Sequence, residues 1–208
     1  MDLTLQVLVS PEKLTLDQIS GFCAAIARGG ATVVQLRAKT DPIRAMIRYG
    51  QELREATRNE GLGFIVNDRV DVAMAVKADG VHVGQDDMPV PLVRAIAPNL
   101  LVGLSVSNLE EAHAARVQNP DYLGVGPIFP TFSKLDASAP TGVDQLAQIC
   151  AMVDIPVVAI GGIGKLNVSQ VWGYPIAGIA VISAVMSAED KENACRSLRP
   201  ENRGLTRR

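Results

Sequence analysis

GFIVNDRVDVAMAVKADGVHVGQDD, residues 63 to 87, is the stretch whose reading decides the fold. Two short apolar runs in it, Phe64-Ile65-Val66 and Val81-His82-Val83, each break off into acidic residues, at Asn67-Asp68 and at Gln85-Asp86-Asp87. Between them Val70, Ala73, Met74 and Val76 recur at helical spacing on a segment flanked by Asp71 and Lys77, so the stretch reads as strand, helix, strand. Such a βαβ unit makes parallel strands, and parallel α/β folds hold ligands at the carboxyl ends of their strands, where both acidic clusters fall. Two readings of Asp68 and Asp87 follow: each caps the helix after it, or the pair shares a hard cation.

Working outward, the same alternation fills the chain. Leu5 to Val9 is an apolar strand, and a helix runs from Thr15, a good N-cap residue, to Arg28, where Gly29-Gly30 stops it. Residues 31 to 37 form a second strand, and Asp41-Pro42 opens a long polar helix that ends at Gly61 and Gly63. Beyond the central unit come a helix at 89–97, a strand at 100–105, a helix from Asn108 to Gln118 and a strand at 121–125. After a loop from Gly126 to Pro140 follow a helix at 142–152, a strand at 156–160, a short helix at 165–172, a strand at 176–182 and a final helix to Leu198. Eight βα steps in 208 residues predict a single (β/α)8 TIM barrel over residues 1–199, with a doubly wound open sheet as the architectural rival. Residues 200–208, basic and without apolar periodicity, are expected to be a flexible tail.

Composition narrows the function classes. A net charge of −2, with basic residues scattered, argues against a nucleic-acid surface. Cys23, Cys150 and Cys195 are odd in number, lie in predicted helices and lack metal-ligand spacing, as expected of reduced thiols in a cytoplasmic protein. No apolar run approaches the roughly 18 residues of a membrane span, and the N-terminal residues have no basic, signal-like region.

Strand two carries the most chemistry. Alternation in Val33-Val34-Gln35-Leu36-Arg37-Ala38-Lys39 puts Gln35, Arg37 and Lys39 on one face and Val34, Leu36 and Ala38 on the other. The apolar face suits the helices, and the polar face then points into the barrel and its mouth. There Arg37 and Lys39 meet an anion, or they pair with Asp68 and Asp87 in an internal ion network. The long loop brings Thr131, Ser133 and Lys134 between stiffening prolines, although turn residues of this kind also make plain surface loops. Ser105 ends the fifth strand at the same mouth, as a site residue or as a cap. Gly161-Gly162 after strand seven and Ile182-Ser183 after strand eight match the phosphate site of such barrels, built from backbone N–H groups and a helix N-terminus.

Taken together, QLRAK, NDRVDVA, ADGVHVGQDDMP, VGLSVSN, GVGPIFPTFSK and AIGGI with VIS resemble the thiamine-phosphate synthase family, from about Val33 to Ala184. The resemblance implies that Gln35, Leu36, Arg37, Ala38, Lys39, Asn67, Ser105 and Lys134 hold a pyrimidine diphosphate, and that Asp68 and Asp87 bind one Mg²⁺ per subunit. It implies that Thr131, Phe132, Ser133, Gly162, Ile182 and Ser183 hold a thiazole phosphate, and that Arg37, Lys39, Ser105 and Lys134 serve catalysis. Two positions depart from the family pattern: Ala38, where Glu is frequent, and Ser133, where Thr is usual. The implied reaction couples 4-amino-2-methyl-5-hydroxymethylpyrimidine diphosphate to hydroxyethylthiazole phosphate, or its carboxylated form, with release of diphosphate. Its partners are then small phosphorylated molecules, with neither nucleic acid nor membrane, and homo-oligomer formation is left open. Two alternatives are a thiazole tautomerase-like isomerase, whose catalytic histidine is missing from GPIFPT, and a non-catalytic phosphate-binding barrel.

Overall fold

The computed structural model describes residues 1–131 and 140–200. Eight strands, β1 (Leu5–Val9), β2 (Val33–Leu36), β3 (Gly63–Asn67), β4 (Gly80–Val83), β5 (Leu101–Val106), β6 (Tyr122–Val125), β7 (Val157–Ile160) and β8 (Gly178–Val181), form a closed barrel. Each pairs in parallel with the next, and β8 returns to β1 with Leu5 opposite Ile179 and Val7 opposite Val181. Nine helices are described around it: α1 (Ile19–Arg28), α2 (Ile43–Asn59), α3 (Val70–Ala75), α4 (Val90–Ile96), α5 (Leu109–Gln118), α6 (Gly142–Met152), α7 (Val168–Trp172), α8 (Ser183–Met186) and α9 (Lys191–Leu198). The open-sheet alternative is thereby excluded. The expected tail beyond Pro200 lies outside the described residues.

Strand alternation sorts the core into two compartments. Val7, Val34, Leu36, Phe64, Val66, Val81 and Val83 face outward and pack with the helices, whereas Leu8, Val33, Ile65, Tyr122, Val158 and Ala180 fill the barrel interior. The interior also takes polar side chains, Gln6, Gln35 and His82, all buried. Two glycines make room for them. A Cβ on Gly103 would sit 2.2 Å from the Tyr122 ring and 2.4 Å from His82 Nδ1, and one on Gly124 would sit 2.7 Å from His82 Cε1.

The elements follow their sequence signals with a few differences. A 3-10 turn at Leu16–Gln18 precedes α1, with the Thr15 N–H donating to Gln18 Oε1 at 3.1 Å, so the expected helix opens one turn late. Asn108 caps α5 by accepting from the Glu111 N–H at 2.9 Å. The single final helix expected after β8 is two. Asp190 accepts from the Asn193 N–H at 2.9 Å and starts α9, while Lys191 Nζ donates to the carbonyls of Met186 and Ala188 and closes α8 after one turn. The far end of α9 is held by Trp172 on α7, whose Nε1–H donates to the Leu198 carbonyl at 2.9 Å. Buried Cys23 and Cys195 are free, and burial raises both thiols to about 12, which leaves them unreactive near neutral pH. None of the described helices is long and apolar enough to cross a membrane.

Candidate active site

The carboxyl ends of β2 to β6 surround an open cleft of about 360 Å³. Arg37 and Lys39 reach it from β2, because the Arg37 N–H donates to the Val9 carbonyl at 2.8 Å and carries the strand register past Leu36. Gln35, one step deeper on the same face, is buried inside the barrel. Leu36 and Ala38 point the other way, into the core beneath the helices, so their side chains lie outside the cleft and only their backbone remains to meet a ligand. Arg37 makes no ion pair among the described residues.

Asn67 and Asp68 enter from the end of β3 and Asp87 from the turn after β4. Asp68 sits in the left-handed region, φ 63°, held there by its N–H donating to the His82 carbonyl at 2.7 Å. Asp is among the few residues other than glycine that take this conformation readily. The twist brings its carboxyl against that of Asp87, whose Oδ2 accepts from the Gly84 N–H at 2.7 Å. Burial, then the hydrogen bond with Asp87 and its charge, push the Asp68 carboxyl up to about 6, against the opposing pull of Lys39 and Arg37. Neither Asp caps a helix, since the cap positions of α3 and α4 are Arg69 and Pro89. A half-buried carboxylate pair that repels itself invites a cation. The described residues hold no cluster of three or more His, Cys, Asp or Glu, and two carboxylates fit a magnesium ion that keeps waters and substrate phosphates as its remaining ligands.

Ser105 lines the cleft, and its Oγ lies 2.8 Å from His82 Nε2. His82 Nδ1 is in turn 2.8 Å from the Tyr122 hydroxyl, so the three side chains form one hydrogen-bonded chain across β4, β5 and β6, from the buried interior out to the cleft. Sequence reasoning missed Tyr122 and Glu111. The second was readable from the Asn108-x-x-Glu111 spacing of a capping box, and its carboxylate now accepts from the Ser107 N–H at 2.7 Å on the cleft wall.

A second, narrower pocket adjoins the cleft and shares Gly126, Pro127 and Ile160 with it. Thr131, Gly162, Ile182 and Ser183 all line it, as expected for the second anion. Gly161 and Gly162 have φ of 98° and 66°, and a Cβ on Gly162 would lie 2.7 Å from the Phe129 and Pro130 carbonyls, so this turn passes against the loop after β6 with no space for a side chain. Asn167, also missed, fastens it: Nδ2–H donates to the Gly162 carbonyl at 2.9 Å and Oδ1 accepts from the Gly164 N–H at 2.8 Å. The helix opening at Ser183 is only four residues long, so local N–H groups rather than a long helix dipole are what this pocket can offer an anion. Phe132, Ser133 and Lys134 lie outside the described residues.

Comparison with known proteins gives a consistent picture. The family model described as thiamine monophosphate synthase matches residues 6–185. A thiamine-phosphate synthase of Chloroflexus aurantiacus is 56% identical over 171 residues, 82% of this chain and 79% of that one. One of Pyrococcus horikoshii is 51% identical over 171 residues, 82% of each. The solved thiamine phosphate pyrophosphorylase from Pyrococcus furiosus superposes with a TM-score of 0.85 at 45% identity, covering 95% of this chain and 94% of that one.

Proposed function

The chain belongs to the thiamine monophosphate synthase family, and from that premise we propose how its residues divide the reaction. It is a thiamine-phosphate synthase, a transferase of thiamine biosynthesis. The two substrates are 4-amino-2-methyl-5-hydroxymethylpyrimidine diphosphate, in the cleft between β2 and β6, and hydroxyethylthiazole phosphate or its carboxylated form, in the pocket after β7 and β8. One observation carries this reading: two pockets, one lined by charged side chains and one by small neutral residues, share the wall Gly126, Pro127 and Ile160, so that ligands held in each would meet across it.

The bond from the pyrimidine methylene carbon to its diphosphate oxygen breaks, and its electron pair leaves with the diphosphate. The thiazole nitrogen contributes the pair that forms the new C–N bond. Negative charge therefore grows on the leaving group, and Arg37, Lys39 and Lys134 are the cations assigned to meet it, with Asn67 and Ser105 positioning its oxygens. Mg²⁺, one per subunit on Asp68 and Asp87, would supply further positive charge to the diphosphate. Gly162 and Ser183, with Thr131, hold the thiazole phosphate by neutral donors and so orient the ring for in-line attack. No side chain is needed as a nucleophile.

Incubation with both substrates and Mg²⁺ tests the reading directly. Thiamine phosphate and diphosphate should appear in equal amounts, and a chelator should stop both. Binding of the two substrates without any coupling would sink it.

A further inference from the structure

Below the cleft, a cavity inside the barrel is walled by Gln6, Gln35, Asn67, His82 and Tyr122. It shares Asn67, Gly124 and Ile160 with the cleft, so it lies directly against the cleft floor. Gln6 stands on β1 two residues before the interior residue Leu8, and strand alternation turns both side chains inward. It is 1% exposed, yet neither Oε1 nor Nε2 has a hydrogen-bond partner among the described residues. The nearby His82 is already committed, with Tyr122 and Ser105 each 2.8 Å from its ring nitrogens. A carboxamide kept in such a place costs stability that an apolar side chain of similar size would not, which singles it out as serving a ligand.

A carboxamide sets one acceptor beside one donor. The complementary edge is a ring nitrogen next to an exocyclic amino group, the match by which Gln reads adenine. A 4-aminopyrimidine carries that edge, and a thiazole with one ring nitrogen and no amino group does not. We propose that Gln6 determines specificity for the pyrimidine ring, its Oε1 accepting from the amino group and its Nε2–H donating to the adjacent ring nitrogen. The proposal rests on the reading that a pyrimidine diphosphate occupies the cleft.

Gln6→Leu removes both polar atoms and nearly preserves volume; Gln6→Met serves as a second variant should the first fold poorly. Calorimetric binding with Mg²⁺ present compares three probes: the aminopyrimidine diphosphate, its 4-methyl analogue, which keeps the shape and lacks the amino donor, and inorganic diphosphate. The wild type should prefer the amino form by about tenfold or more, a preference that falls toward one in the variant while inorganic diphosphate binds unchanged. A preference that survives Gln6→Leu overturns the assignment and leaves Gln6 the holder of a buried water. So does an equal loss of affinity for inorganic diphosphate, since the change would then act on the cleft rather than on the ring. Failure of the wild type to form thiamine phosphate would refute the proposed reaction instead, and the binding ratio would still be readable.

Discussion

Asp68 concentrates the electrostatic strain of the molecule in one side chain. Its carboxyl is lifted to about 6 from an unfolded value near 3.8, first by burial and then by Asp87. A raised acid stabilises the fold fully below the unfolded value and loses that contribution as pH rises through about 6. Metal-free protein should therefore lose melting temperature between pH 4 and 7 relative to Asp68→Asn, which keeps the left-handed backbone available and removes one of the two charges. Because the group is partly exposed, the gain for the variant at pH 7 is on the order of 1 kcal/mol, a shift of about 2–4 °C. Adding Mg²⁺ should raise the melting temperature of the wild type and leave the variant nearly unchanged. Equal stabilisation of both by Mg²⁺ would remove Asp68 from the proposed metal site. That this residue stands at the barrel mouth was legible from its place at a strand end, but its contact with Asp87 depends on a backbone twist that no local pattern announces.

Among the elements, β2 was the most readable, because charge and apolarity alternate along it with period two and only one assignment of faces buries the apolar set. What alternation could not tell was which inward side chains meet across the barrel: His82 and Tyr122 touch because Gly103 and Gly124 leave the space, a relation between β4, β5 and β6. Gly103→Ala should accordingly destabilise by about 1–3 kcal/mol or more, since ring and imidazole must shift together in a closed interior. Gly21 in α1 is the counter-case, exposed and with nothing within 4 Å of an added Cβ. Gly21→Ala should stabilise by about 0.5–1 kcal/mol. Thermal unfolding of both variants checks the contrast, and a destabilised Gly21→Ala would contradict the packing described for α1. The break between α8 and α9 escaped the sequence because Val185, Met186, Cys195 and Leu198 keep an apolar pattern running across it, while the Asp190 cap that makes the break is a single polar residue.

On the scale of the whole molecule, closure of β8 onto β1 brings residues from both ends of the chain to one mouth, with the two pockets on either side of Ile160. Ser183→Glu places a carboxylate in the pocket proposed for the thiazole phosphate and should raise the KM for that substrate at least about tenfold, with pyrimidine diphosphate binding little changed. Titrating each substrate separately decides it, and an equal loss for both would mean that the pockets are not independent. The eightfold alternation made the barrel legible, and Gly161-Gly162 and Ile182-Ser183 marked the second pocket; Asn167, which fastens the glycine turn, gave no such sign because its partners are backbone atoms. At the opposite end from the mouth, where α7 finishes, the only tryptophan of the sequence holds the Leu198 carbonyl. Trp172 is thus a built-in optical reporter on the seating of the last helix. Its emission should shift to the red when α9 detaches, yet stay constant while substrates are titrated at the other end, so fluorescence alone separates loosening of the scaffold from occupancy of the site.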